Sequence, residues 1–256
     1  MTIRRERARN LYLRGIRDGD IGVISEYTGD TYIQHSGGVP DGVEGFTQFF
    51  EGFLKRNPDR EIDLVRSFED DNGVFVHAHQ RLNGGDVQWV TMDWFRFDEH
   101  DRIVEHWDVI SPYVSENPSG RSTVDGPTEV RESGQGGANV ELVRNALNGL
   151  FMAGGDRQAG LAAIAEDLIE HHPQVGDGRA VLAALLAQDP VPMVYEQIHR
   201  VCAQGNFVAV LSEATVNGSP YALGDLFRVE NGVIVEHWNA AELIAPEAEW
   251  VNSGKF

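Results

Sequence analysis

The chain has 256 residues, 41% of them hydrophobic and 24% charged, and its formal net charge is −19 at pH 7. Such strong acidity repels phosphate groups, so the composition argues against a nucleic-acid partner. Because no run of about 20 apolar residues occurs, the sequence also predicts no membrane-spanning helix.

The N-terminal sequence MTIRRERARN and the cysteine count bear on the cellular compartment. The N-terminus is basic, but no apolar stretch follows it, so it lacks the pattern of a secretory signal. Cys202 is the only cysteine, which excludes an internal disulfide and is typical of a reducing environment. We therefore expect a cytoplasmic protein.

The elements predicted in the first half run from helices to strands. A helical segment over Arg5–Arg17 ends at a Gly-Asp turn, and a short second helix follows. The histidine-bearing segment YIQHSGGVPDG precedes a third helix that closes before Pro58. Three strands are then predicted, over Gly73–Leu82, Val87–Phe97 and Arg102–Ile110. This order predicts an α+β domain, in which a curved antiparallel sheet wraps over N-terminal helices as a cone-shaped barrel.

The second half of the chain repeats the first. The phrase IVEHW occurs at Ile103–Trp107 and again at Ile234–Trp238, each time after a strand that contains Phe-Arg. Upstream, YIQHSGGVPDG at Tyr32–Gly42 aligns with LIEHHPQVGDG at Leu168–Gly178. Several segments shared in the same order indicate a tandem duplication.

The two copies are separated by a segment of different composition. Residues 115–139 are rich in Ser, Gly, Pro and charge, so we predict a flexible linker there. The predicted domains are therefore residues 1–114 and residues 140–256.

This order of elements, with YIQHSGGVPDG and VEHWDVI, resembles the SnoaL-like polyketide cyclases and predicted aldol-condensation enzymes of the nuclear transport factor 2-like superfamily. The resemblance covers nearly the whole chain, twice, apart from the linker. It implies the cone-shaped fold and, because relatives pair sheet against sheet, a pseudo-dimer formed within one chain, with further self-association left open. The superfamily includes isomerases, cyclases, dehydratases, epoxide hydrolases and non-catalytic binders, so the fold alone does not identify the reaction.

Ketosteroid isomerase, a relative on the same fold, suggests roles for three residues. The resemblance implies that Tyr12 is an oxyanion-hole donor and that Asp93 is a second, protonated donor. His35 falls at the position of the general base, where imidazole replaces the carboxylate of that enzyme. An imidazole is suited to acid–base catalysis near neutral pH.

Strand alternation adds further candidates to this first site. Trp89 and Phe95 share a face of their strand with Asp93, and we expect them to contact substrate. On the next strand, His106 and Asp108 share one face, so we expect both to point into the same hollow. Burial among aromatic side chains would raise the pKa of Asp93 and keep it protonated.

The second repeat carries counterparts of this set, which are His171, Asp225, His237 and Asn239. It lacks the helical tyrosine, because Leu147 or Asn148 stands at that position. The first repeat is therefore the better-equipped candidate active site.

Simpler structural roles are also open for these residues. His35 and His171 could cap the turns before PDG and GDG, and Asp93 could pair with Arg96. Tyr12 could be an ordinary core residue, and His106 could hydrogen-bond inside the domain without catalytic function.

The favoured hypothesis is a cofactor-free acid–base enzyme that acts on a small, hydrophobic, carbonyl-containing substrate through an enolate. Aldol cyclisation, isomerisation and dehydration all fit this chemistry. One alternative is a non-catalytic ligand-binding or scaffold protein. Another is an epoxide hydrolase or epoxide-opening cyclase.

A metal-dependent enzyme is a further alternative. His77 and His79 lie two residues apart on a predicted strand, so they project from one face, a spacing that metal sites use. The favoured hypothesis assigns no metal and places both histidines among the substrate-binding residues.

Overall fold

The structure is a computed structural model that describes residues 1–131 and 134–256. The chain forms two compact units: Met1–Pro112 with Ile244–Phe256, and Tyr113–Leu243. None of the helices in the described ranges is long and apolar enough to cross a bilayer.

The first unit has helices and five strands. Its elements are α1 (Ile3–Asn10), a π-helical stretch (Leu11–Arg17), α2 (Gly22–Tyr27), β1 (Thr28–Gln34), α3 (Gly42–Arg56), β2 (Arg60–Asp70), β3 (Gly73–Leu82), β4 (Val87–Phe97) and β5 (Ile103–Pro112). The predicted limits of β3 and β4 are confirmed. Two strands were not predicted, β1 and β2. In β2 the hydrophobic alternation is interrupted by charged residues and by a register shift between Leu64 and Arg66.

The sheet of the first unit is open and mixed. Its strand order is β1-β5-β4-β3-β2, in which β1 and β5 are parallel and the other pairs are antiparallel. The α+β class and the antiparallel pairing of the three predicted strands are confirmed, but the sheet is not a closed barrel and β1 adds a parallel strand to it. A barrel needs its two edge strands to pair with each other, and here β1 and β2 each pair on one side only.

Strand alternation gives this sheet two distinct faces. Val74, Val76 and Ala78 of β3 join the apolar cluster that α1, the π-helical stretch, α2 and α3 form. The residues between them, including Phe75 and His77, point to the opposite face. Along β3, β4 and β5, successive side chains therefore alternate between the face that the helices cover and the opposite face of the sheet.

The second unit repeats this architecture. Its elements are α4 (Gly136–Phe151), α5 (Arg157–Ala162), β6 (Ile164–Glu170), α6 (Arg179–Leu186), β7 (Met193–Gln204), β8 (Phe207–Val216), β9 (Ser219–Glu230) and β10 (Val233–Leu243). The strand order β6-β10-β9-β8-β7 matches that of the first sheet, including the parallel pair β6–β10.

The boundaries of the units differ from the predicted ones. Part of the segment predicted as a flexible linker belongs to the second unit, and the side-chain amide of Asn117 there donates to the carbonyls of Glu170 (2.7 Å) and His172 (3.3 Å). Residues 244–256, predicted as part of the second domain, belong to the first unit. Composition could not reveal this, because polar side chains that hydrogen-bond to main-chain groups fix a segment without an apolar pattern.

Candidate functional site

A cavity of about 420 Å³ lies between the helices and the sheet of the first unit. Most of its wall is apolar and comes from the helices, including Leu11, Ile16, Phe46, Phe49, Phe50 and Phe53. Polar side chains are concentrated on the sheet side, where Trp89 and Phe95 also line the wall. Contact of Trp89 and Phe95 with a substrate stays a prediction.

A buried hydrogen-bond network lies at the polar side of this cavity. The hydroxyl of Tyr12 donates to Oδ1 of Asp93 at 2.6 Å and lies 3.2 Å from Oγ1 of Thr91. Nε2 of His106 lies 2.9 Å from the same Oδ1 atom. Within the described part of the chain, Oδ2 of Asp93 has no hydrogen-bond partner. The structure thus brings together Tyr12, Asp93 and His106, three of the residues that the sequence singled out.

Burial controls the protonation of this network. Complete burial raises the pKa of Asp93, and the negative charge of Asp108 adds to the rise, while the hydrogen bonds from His106 and Tyr12 oppose it. Burial and the neighbouring Asp93 also raise the pKa of Tyr12 well above its usual value. Asp93 therefore retains a proton at a higher pH than an ordinary carboxyl group.

Within the described residues, Nε2 is the one ring nitrogen of His106 that has a hydrogen-bond partner. Its ring stacks on Phe95, with 4.4 Å between centroids and 2° between planes. When Nε2 donates to Asp93, Nδ1 carries the lone pair of the neutral ring. Nδ1 is buried and has no protein partner among the described residues. The arrangement therefore provides an oriented imidazole with an unused proton acceptor.

Asp108 is the second carboxyl group of this wall, and β4–β5 pairing places it directly opposite Asp93. Its Oδ1 atom lies 3.2 Å from Nζ of Lys255. Burial alone would raise the pKa of Asp108, but the charges of Lys255 and His106 and a hydrogen bond from Ser36 lower it on balance. The two adjacent carboxyl groups thus have pKa values displaced in opposite directions.

The structure places His35 outside the cavity, which corrects its predicted role as the base. Its ring stacks on Trp107 at 4.8 Å, and its Nε2 atom lies 3.0 Å from Oε1 of Glu105. Nδ1 lies 2.6 Å from the carbonyl of Gly254, so both ring nitrogens are occupied. Glu105 and Trp107 flank His106 on β5 and therefore point to the opposite face of the sheet.

The second repeat has the same arrangement around His171. The ring stacks on Trp238 at 4.8 Å, with Nε2 2.8 Å from Glu236 and Nδ1 2.8 Å from the carbonyl of Ser122. In both repeats an arginine, Arg96 or Arg228, completes the ion pair at 2.6 Å. His35 and its counterpart His171 thus make matching buried contacts through both ring nitrogens.

Replacement of either histidine by alanine is expected to destabilise the fold. Loss of its two hydrogen bonds in a buried setting should lower the free energy of unfolding by about 1–3 kcal/mol. His35→Ala and His171→Ala should give losses of the same order, because their contacts match. Urea unfolding measures the free energy of unfolding of both variants. Surface substitutions usually change it by less than about 0.5 kcal/mol, so losses that small in both variants would contradict a structural role.

His77 and His79, predicted from the sequence as substrate-binding residues, do not line this cavity. Nδ1 of His77 accepts from Arg66 at 3.1 Å. His79 contacts Gln88 at 3.1 Å and Arg81 at 3.2 Å, and burial and the Arg81 charge lower its pKa. A guanidinium cation beside each ring disfavours a metal cation at the same place.

The second unit has a smaller cavity, of about 210 Å³, with a fully paired polar network. His237 lies 3.0 Å from Asp225 through Nε2 and 2.9 Å from Glu170 through Nδ1. Asp225 also accepts from Asn239 at 2.8 Å and from Tyr195 at 2.8 Å. Asp225, His237 and Asn239 come together as predicted from the sequence, but no ring nitrogen of His237 is left for a ligand.

The hydroxyl that donates to Asp225 in this second network comes from a strand and not from a helix. Leu147 lines the cavity at the helical position where the first repeat has a tyrosine. The helical tyrosine is thus missing as predicted, but Tyr195 of β7, which the sequence did not single out, supplies a hydroxyl to Asp225 instead. Glu170 was visible in the sequence as the counterpart of Gln34, whereas β7 itself was not predicted.

The charge on His237 should make the stability of the second unit depend on pH. Burial alone would lower its pKa, but Glu170 and Asp225 raise it to about 10. The stabilisation is complete below the unfolded pKa of about 6.5 and is lost as the pH rises towards 10. We therefore expect the free energy of unfolding to fall between these pH values and His237→Gln to remove much of that slope. Urea unfolding at several pH values measures this slope. If the free energy of unfolding of the wild-type protein and of His237→Gln changed with pH in the same way, the raised pKa of His237 would be contradicted.

Comparison with protein families identifies the repeated unit. The family described as "SnoaL-like domain" matches residues 9–106 and 143–237, which together make up more than half of the chain. The chain belongs to the SnoaL-like family. The recognition of two tandem SnoaL-like repeats from the sequence is confirmed.

Several solved structures are similar to a single SnoaL-like repeat. IdmH from Streptomyces antibioticus, named as a candidate polyketide cyclase, is 17% identical over 43% of this chain and 93% of its own, with a TM-score of 0.37. A candidate polyketide cyclase from Acidithiobacillus ferrooxidans is 19% identical over 43% of this chain and 92% of its own (TM-score 0.39). A candidate ketosteroid isomerase from Kribbella flavida is 19% identical over 44% and 84% (TM-score 0.37). Among curated proteins, no match is found.

Proposed function

We propose that the first SnoaL-like repeat is an enzyme that catalyses acid–base chemistry on a small, hydrophobic, carbonyl-containing molecule through an enolate. The observation that carries this proposal is His106, whose Nε2 atom is held by Asp93 while its buried Nδ1 atom has no partner among the described residues. The apolar cavity beside it, of about 420 Å³, is large enough for a molecule of one to a few rings.

In this proposal Nδ1 of His106 removes a proton from the carbon next to the carbonyl group. Asp93 fixes the ring orientation and, with the ionised Asp108, stabilises the imidazolium that forms. Gln80 and Trp89 also line the cavity and supply N–H donors for the developing enolate oxygen. Because the pKa of Asp93 is raised, the Asp93–His106 pair can hold the proton and return it at a second carbon.

Proton exchange of a simple ketone tests this proposal. The ketone 1-tetralone in deuterium oxide should lose its α-proton signal in NMR faster with the protein than in buffer. Asp93→Asn should slow this exchange by about 100-fold or more, in the range for general acid–base groups. Asp225→Asn in the second repeat is the matched control and should leave the rate unchanged. Exchange no faster than in buffer, or equal losses in both variants, would contradict the proposal.

Epoxide opening is a second candidate, because two adjacent carboxyl groups have oppositely displaced pKa values. Asp93 would donate a proton to the epoxide oxygen, and the ionised Asp108 would activate the attacking water. Styrene oxide with oxygen-18 water distinguishes this reaction, because labelled diol would then form and Asp108→Asn would abolish it.

The second repeat is proposed to bind ligand without catalysis. All ring nitrogens and carboxyl oxygens of its Asp225–His237 pair have protein partners. The non-catalytic alternative from the sequence is thus assigned to this repeat only.

A further inference from the structure

The segment 244–256 contributes a buried charge to the first unit. Nζ of Lys255 lies 3.2 Å from Oδ1 of Asp108, and the two side chains are only 7% and 6% exposed. Asp108 lines the cavity and is paired with Asp93 across two strands. A residue near the end of the chain therefore contacts the wall of the candidate active site.

Hydrogen bonds anchor this segment next to Lys255. The side-chain amide of Asn252 donates to the carbonyls of Ser36 at 2.7 Å and Val39 at 2.9 Å. Ser253 donates to Asp41 at 2.8 Å. The position of Lys255 is thus fixed by its neighbours in the chain and does not depend on the ion pair alone.

The second unit contains the same anchor without the lysine. Asn117 donates there to the carbonyls of His172 and Val175, which are the counterparts of Ser36 and Val39. The basic residue that follows, Arg121, pairs with Asp177 instead of reaching the cavity wall.

The residue opposite this basic position also differs between the repeats. At the place of Asp108 the second unit has Asn239, which carries no charge. The cation and the carboxylate are therefore present together in one repeat and absent together in the other, as expected if Lys255 serves Asp108.

The physical need for this cation follows from burial. A buried carboxylate without an opposite charge takes up a proton, because desolvation penalises its charged form. The groups that face Asp108 are His106, Asp93 and Tyr12 in the network, with Ser36, Tyr32 and Lys255 from other elements. Among these, Lys255 supplies a basic group that takes no part in the proposed proton transfer, whereas His106 changes its charge during the proposed reaction.

We infer that Lys255 is a positioning residue of the first site, which keeps Asp108 ionised and so supports the positive charge that forms on His106. This inference rests on the proposed function for its catalytic consequence. The electrostatic effect on Asp108 can be measured without any substrate.

Carbon-13 NMR of the aspartate carboxyl groups tests this inference directly. Aspartate labelled at its side-chain carboxyl gives a titration midpoint for Asp108, which Asp108→Asn identifies. Lys255→Met should move this midpoint upward by about 1 to 3 pH units. Lys255→Arg keeps the charge and should leave it near the wild-type value. Lys55→Met, which removes the only other lysine, is the matched control and should also leave it unchanged.

An unchanged Asp108 midpoint in Lys255→Met would overturn the inference. If that variant does not fold, Lys255→Gln keeps a hydrogen-bond donor without the charge, and the same outcomes apply to it. In the 1-tetralone assay, Lys255→Met should reduce exchange about tenfold or more, since each pH unit is a factor of ten in protonation, and Lys255→Arg should restore it. If the Asp108 midpoint rises in Lys255→Met as expected but the wild-type protein does not accelerate 1-tetralone exchange, the proposed function is refuted and the inference about Lys255 stands.

Discussion

Replacement of His106 by glutamine is expected to slow 1-tetralone exchange by about 100- to 10,000-fold, the range for a positioned general base. Glutamine can still donate to Asp93, so the buried carboxyl group keeps a hydrogen bond. It has no nitrogen lone pair with which to accept the substrate proton. The loss should therefore appear in the rate of exchange, while ligand binding in the apolar cavity persists.

The matched control for this change is His237→Gln. His237 holds the same position in the second repeat, but Glu170 and Asp225 occupy both of its nitrogens. Its replacement should leave the exchange rate within about twofold, because surface and remote changes rarely affect a separate site. An exchange rate that falls only in His237→Gln would transfer the active site to the second repeat.

The largest stability effect is expected at Glu236. Its side chain is 2% exposed and contacts His171 at 2.8 Å and Arg228 at 2.6 Å. Glu236→Ala leaves the arginine charge and the imidazole without their buried partner. Removal of one member of a buried ion pair typically costs about 3–5 kcal/mol, so we expect a loss of that size in urea unfolding.

Glu230 provides the control, because it pairs with the same arginine at the surface. Its side chain is 44% exposed, and such pairs contribute about 0–1 kcal/mol. Glu230→Ala should therefore change stability very little. Equal losses in the two variants would show that burial is not what makes the Glu236 pair important.

Strand alternation explains why the sequence IVEHW carries both its histidine and the flanking Glu and Trp. In the first copy, Glu105 and Trp107 point to one face, where they hold His35. His106 lies between them and points to the other face, against Asp93 and the cavity. One short strand thus anchors a structural histidine and presents a candidate catalytic one.

The sequence could predict those site residues whose faces are set by regular strands. The positions of Tyr12 and Asp93 followed from the family resemblance, and alternation on β5 then placed His106 on the same side as Asp93. His35 was assigned to the wrong face because it lies just after β1, next to an irregular turn where no periodicity applies. Lys255 and Tyr195 were not predicted, since segments remote in sequence supply them.

The most direct test of this account is a crystal structure with 1-naphthol, a planar aromatic analogue of the 1-tetralone enol. We predict that it occupies the first cavity with its C2 atom about 3–3.5 Å from Nδ1 of His106, the spacing of reacting atoms. The naphthol oxygen should accept or donate a hydrogen bond on the polar side of the cavity. A ligand found only in the second cavity, or one with no atom near His106, would contradict the account.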